Sequence, residues 1–104
     1  MTTLSTHVLD MASGAPATHM SVHLSRAGSD GWERLEELET DQNGRIAGFG
    51  ELGPGRYRLG FETGEWGNTF YPFIHVTFLV DDATAHYHLP LLLGPFGYTT
   101  YRGS

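Results

Sequence analysis

The sequence predicts an all-β domain, a sandwich or a small barrel, and two observations carry that expectation. Fourteen glycines and five prolines punctuate 104 residues, which favours short strands and many turns over helices. Between the turns run stretches in which apolar and polar residues alternate with period two, the mark of strands with one buried face. Seven or eight such strands in a chain of this length form a single domain.

The elements follow in order. Residues 4–9 make a first strand, closed by a turn at Ser13-Gly14 and Pro16. In HMSVHLSR, residues 19–26, Met20, Val22 and Leu24 point one way and His19, Ser21, His23 and Ser25 the other. RYRLGFE at 56–62 repeats the pattern through Tyr57, Leu59 and Phe61. IHVTFLV at 74–80 does so through Ile74, Val76, Phe78 and Val80. AHYHLPLLL at 85–93 is the most apolar strand; its Pro90 removes a ladder donor and points to an edge or a bulge. One segment departs from this period. WERLEELET, 32–40, spaces Trp32, Leu35 and Leu38 three apart among glutamates, which predicts a short amphipathic helix capped by Asp30 or Ser29. Asp41-Gln42-Asn43-Gly44 predicts a tight hairpin turn, with Arg45 directly after it, and GEWGNTF at 64–70 has room for one helical turn.

Bulk composition narrows the function classes. The net charge is −6, all six cationic residues are arginine, and no basic stripe exists, so nucleic acid and anionic membranes are poor partners. The chain lacks cysteine, which excludes disulfides, thiolate zinc sites and cysteine nucleophiles and fits a reducing compartment. Without lysine there is no side-chain Schiff base. No window reaches membrane-spanning length. These features read as a soluble, cytoplasmic protein.

Six histidines are many for this length. His19, His23 and His75 stand on polar strand faces and read as ordinary surface residues. His86 and His88, two apart on a strand, share a face. Such a pair suits a metal held through neutral imidazoles, or one general base with a neighbour; it equally suits a plain polar face. His7, pointing opposite to Thr6 and Val8, reads by default as a surface histidine, and Arg45, flanking a turn, as a solvated arginine. Taken together the residues support acid–base or hydrolytic chemistry with an arginine stabilising an anion, and they select no substrate.

THVLD at 6–10, NGR at 43–45, LGPGRYRLGFET at 52–63 and HYHLPLLLGPFGYTTYRGS at 86–104 resemble the transthyretin-related family, over essentially the whole chain. HYH with the closing YRGS is the most specific part and resembles the family's hydrolase branch. The resemblance implies a transthyretin-like β-sandwich of two four-stranded sheets with one short helix. It makes 32–40 a strand and places the helix in GEWGNTF. It implies a homotetramer, a dimer of dimers, with active sites in the channel where the dimers meet and the final strand lining it. By motif, His7, Arg45, His88 and Ser104 are the implied catalytic residues, and His7, Arg45, Tyr101 and Arg102 the implied substrate contacts. Gly94 and Phe73 depart from the family pattern.

The implied reaction is hydrolysis of 5-hydroxyisourate to 2-oxo-4-hydroxy-4-carboxy-5-ureidoimidazoline, with water attacking a cyclic amide. His7 or His88 takes the proton, and Arg45 meets the oxyanion with Ser104 or a backbone N–H beside it. No metal or organic cofactor is implied. Two alternatives are a transthyretin-like carrier of a small ligand, and a protein binding metal through His7, His86 and His88.

Overall fold

The computed structural model describes residues 2–81 and 84–103, and over these the chain forms two facing sheets with one short helix. In chain order the elements are β1 (Thr3–Asp10), β2 (Ala15–Pro16), β3 (Ser21–Gly28), β4 (Gly31–Glu39), β5 (Arg45–Ile46), β6 (Gly55–Phe61), α1 (Thr63–Trp66), β7 (Ile74–Val80), β8 (His86–Leu93) and β9 (Tyr98–Thr100). One sheet runs β4-β3-β6-β7, antiparallel throughout. The other runs β2-β1-β8-β9, and β5 also pairs with β1. Because β8 takes one edge of β1, the two short strands β2 and β5 share the other edge, and this sheet too is four strands wide.

Period-two patterning builds the core. Leu4 and Val8 of β1, Val22 and Leu24 of β3, Leu59 and Phe61 of β6, and Leu91 and Leu93 of β8 are buried between the sheets. The opposite residues of β1, namely Thr3, Ser5 and His7, lie on the outer face of their sheet, as do His86 and His88 of β8. β1 and β8 are parallel, with Ser5 opposite His88 and Thr3 opposite His86, so residues on matching positions project from one face. Two distant parts of the chain thereby present their polar side chains together.

Four expectations change. Residues 32–39 are strand, not helix. A register shift between Leu24 and Ser25 pairs Leu24 with Glu36 but Ser25 with Arg34, leaving Leu35 as the extra residue of a bulge. That bulge breaks the period of two and produces the helix-like spacing of Leu35 and Leu38. β8 is an interior strand, not an edge. Pro90 lies in the interval where pairing to β9 lapses, between the Leu91–Thr100 pair and the isolated His88–Gly103 bridge; the Thr100 hydroxyl donates to the Pro90 carbonyl at 2.8 Å. At the turn only Gly44 takes positive φ (75°), and Asn43 does not. Its strand, β5, pairs with β1 in the other sheet instead of closing a hairpin on β4. A side chain at Gly44 would fall onto the Val8 carbonyl oxygen.

His23 is the fourth correction: it is buried, not a surface residue. Gly60 lies between His23 and His75 in one cross-strand row. With no side chain there, the His23 ring settles over the Gly60 backbone and its Nε2 stands 2.9 Å from Glu62 Oε2. Phe73, one of the two departures from the family pattern, closes this cluster by packing on both imidazoles, with ring centroids 5.4 Å from His23 and 4.4 Å from His75. Partial desolvation of the ring, with Arg58 and His23 adding to it and Glu62 opposing, holds the His75 pKa below its ordinary value. His75 itself is exposed, as expected from its strand position. No helix among the described residues is long and apolar enough to cross a membrane.

Candidate active site

The outer face of the β1–β8 pair carries an open recess of about 430 Å³ lined by Ser5, Thr6, His7, Arg45, Ile46, Ala47, His86 and His88. His7 and Arg45 reach it as register partners on β1 and β5. Arg45 is held there by its turn. The Asp41 carboxylate accepts hydrogen bonds from the backbone N–H groups of Asn43 (2.8 Å) and Arg45 (2.9 Å), and the Asp41 N–H donates to the Arg45 carbonyl at 2.9 Å. Those backbone donors, with the Arg45 and His7 charges adding to them, keep the Asp41 carboxyl below the usual carboxylate range. The turn therefore fixes the backbone from which the guanidinium projects, and the long side chain stays exposed.

His88 is positioned from two sides. Its Nδ1 stands 2.8 Å from Ser5 Oγ, and Ser5 Oγ stands 2.8 Å from His86 Nε2. On the other side the Gly103 N–H donates to the His88 carbonyl at 2.7 Å, and a Cβ at position 103 would come within 2.8 Å of the imidazole. Glycine is thus the residue that lets the chain end lie against this ring. Partial burial, then the positive charges of His7, His86 and Arg45, push the His88 pKa below its ordinary value, against a hydrogen bond donated to the Ser5 backbone. The neutral imidazole, a proton acceptor, is the favoured form at pH 7.

His7, Arg45 and His88 are therefore brought together. Tyr101 and Arg102 are not. Tyr101 is 53% exposed, and the Arg102 guanidinium lies 4.1 Å over the centroid of the Tyr87 ring, beside a separate recess with Arg56 and Leu79. Ser104 lies outside the described residues. Among the described residues no three of His, Cys, Asp and Glu are placed to share a metal ion, so His7, His86 and His88 do not converge as the ligand set that the metal-binding alternative needs. Ser5 escaped sequence reasoning. The signal was present in the alternation of Thr3, Ser5 and His7, but only the parallel pairing with β8 tells which histidines they meet.

The model of the HIUase/Transthyretin family matches residues 4–103. A 5-hydroxyisourate hydrolase of Salmonella typhimurium is 42% identical, with 97% of this chain and 80% of that protein covered. Among solved structures, Klebsiella pneumoniae 5-hydroxyisourate hydrolase superposes with a TM-score of 0.89 at 42% identity, covering 100% of both chains. Sea bream transthyretin in complex with thyroxine superposes at 0.88 and 31% identity, covering 96% of this chain and 93% of that one. With a family model spanning nearly all of its length and relatives above 40% identity, this chain belongs to the HIUase/Transthyretin family.

Proposed function

We propose that the β1–β8 recess hydrolyses 5-hydroxyisourate, with His7, Arg45 and His88 as the reacting groups. The observation that carries the reading is the convergence of His7, His88 and Arg45, with His86 beside them, on one open recess. The substrate is a small, flat ring with several carbonyl oxygens. The Arg45 guanidinium offers those oxygens a planar fork of donors. A water held between the imidazoles attacks the ring amide carbon. His88 or His7 accepts its proton, and Arg45 faces the oxygen on which negative charge develops. Proton return to the ring nitrogen breaks the amide bond and yields 2-oxo-4-hydroxy-4-carboxy-5-ureidoimidazoline. No step draws on a cofactor, and the cysteine-free chain fits a reducing cytoplasm.

The test uses 5-hydroxyisourate generated fresh from urate by urate oxidase, with its ultraviolet band followed after addition of the protein. Decay well above the spontaneous rate is expected. Decay no faster than in buffer overturns the reading and leaves a carrier in its place.

The working unit in this reading is a homotetramer with its sites between dimers. Support comes from the free edges. β7 and β9 are the last strands of their sheets on this path, and exposed apolar side chains gather along or near them: Leu79, Phe70, Phe96 and Tyr98. Phe70 meets Phe96 edge-on with centroids 5.7 Å apart, and Tyr71 meets Tyr98 at 5.2 Å. Exposed apolar clusters on unpaired sheet edges mark subunit contacts. Tyr101, Arg102 and Ser104 enter the proposal as tail residues that act in the assembly, since Tyr101 and Arg102 stand outside their own chain's recess. Sedimentation should return four times the mass of one chain; a fully active monomer contradicts a site completed between dimers.

A further inference from the structure

Three short contacts run in series along the outer face of β1 and β8. Thr3 Oγ1 lies 2.6 Å from His86 Nδ1, His86 Nε2 lies 2.8 Å from Ser5 Oγ, and Ser5 Oγ lies 2.8 Å from His88 Nδ1. The series starts at Thr3, which is exposed, passes through Ser5, which is buried, and ends at His88 in the recess. A hydroxyl has one hydrogen to donate, and a neutral imidazole has one N–H. With all three hydrogen bonds kept and the Ser5 hydrogen spent within the series, two proton arrangements exist. In one, His88 Nδ1–H donates to Ser5, Ser5 donates to His86 Nε2, and His86 Nδ1–H donates to Thr3; His88 Nε2 is then bare and faces the substrate as a base. In the other, every bond is reversed: Thr3 donates to His86, His86 to Ser5, and Ser5 to His88 Nδ1. His88 Nε2 then carries the hydrogen and faces the substrate as an acid.

We propose that Ser5 and His86 are positioning residues that set the His88 tautomer and relay its proton to solvent through Thr3. The inference rests on the assignment of His88 to the chemistry. In the attacking step a water proton arrives at Nε2. The Nδ1 proton passes to Ser5 Oγ, the Ser5 proton to His86 Nε2, the His86 Nδ1 proton to Thr3 Oγ1, and the Thr3 hydroxyl proton to bulk water. One proton enters, one leaves, and His88 is neutral again with its hydrogen on Nε2. Giving that hydrogen to the leaving ring nitrogen and running the series backwards restores the starting state. One histidine thus serves as base and then as acid without holding net charge. That matters here because His7 on β1, Arg45 on β5 and His86 on β8 all oppose a second positive charge at this place. The first histidine of HYH, which sequence spacing offers as a metal ligand, a neighbour to a general base or a plain surface residue, gains a defined part in proton transfer.

The test is a pair of variants assayed with freshly generated 5-hydroxyisourate, with folding checked by circular dichroism and thermal melting. Ser5→Ala cuts the series at its middle. Turnover should fall about tenfold or more, KM should stay within about twofold, and the limbs of the pH–rate profile should move. Ser5→Thr, which keeps a hydroxyl, should recover most of the rate. His86→Gln keeps a hydrogen-bonding group but cannot pass a proton, and should lose turnover as Ser5→Ala does. In mixed light and heavy water the parent protein should show a curved dependence of rate on isotope fraction, from several protons in flight; both variants should show a straighter one. Unchanged turnover, pH profile and isotope curvature in folded Ser5→Ala and His86→Gln, alongside an inactive His88→Ala, overturns the relay and leaves the reading of His88 standing. A fully active His88→Ala removes the site assignment itself, and the relay with it.

Discussion

Replacing His88 with alanine is expected to lower turnover by about 10²–10⁴-fold, the span that a positioned proton-transfer group contributes, with little change in melting temperature. Its imidazole lines the recess on the outer face of β8, while the inward residues Leu89, Leu91 and Leu93 hold the strand to the core. Truncation leaves the Ser5 hydroxyl with His86 as a partner, so no buried polar atom is stranded. The pH dependence has a defined sign. The histidine pKa is lowered in the folded chain, so the neutral, proton-accepting form persists as the pH falls through about 6.5, the ordinary histidine value. Activity should therefore hold at pH 6.5 and decline only on further acidification. Rates of turnover against pH, taken with freshly made substrate, measure this. A decline that begins well above pH 6.5 would assign the essential base to another group.

Arg45→Ala is expected to cost about 10²–10³ in turnover, the loss typical of one donor removed from a developing oxyanion. Arg45→Lys should recover little of it. The turn holds the backbone through Asp41, independently of the side chain at 45, so both variants should keep the recess intact. A lysine ammonium then sits as a point charge where a planar two-pronged donor is required. Steady-state kinetics discriminate the roles. A fall mainly in kcat marks a group acting on the transition state, and a rise confined to KM marks one that only binds substrate.

Much of this architecture was legible in the sequence, for physical reasons that differ by element. β1, β3, β6, β7 and β8 each turn one apolar face to the core, and that writes a period of two directly into residue type. β4 is an exposed edge strand with a bulge at Leu35, so neither burial nor a clean period marks it, and only the family resemblance made it a strand. His23 was misjudged because its burial depends on what stands opposite. A glycine on the neighbouring strand and a phenylalanine beyond it are invisible to a reading of β3 alone. The candidate site divides in the same way. His7, Arg45 and His88 were picked out by motif, and the structure brings them to one recess. Ser5 was not picked out, since its meaning arises from a register between segments about eighty positions apart. Arg102 was grouped with the recess by motif, yet in the single chain it lies against Tyr87.

The parallel pairing of β1 with β8 has a consequence for how the protein comes into being. Ser5 and His88 are separated by 83 positions, nearly the whole chain, and parallel partners cannot be joined by a tight turn. Closing so long a loop costs chain entropy before any contact repays it, and such distant contacts slow folding. The recess therefore exists only once β1 and β8 have found each other. Hydrolysis is accordingly a late reporter of folding: a refolding chain regains strand signal in its local antiparallel pairs first, and catalytic competence only after β1 and β8 have joined.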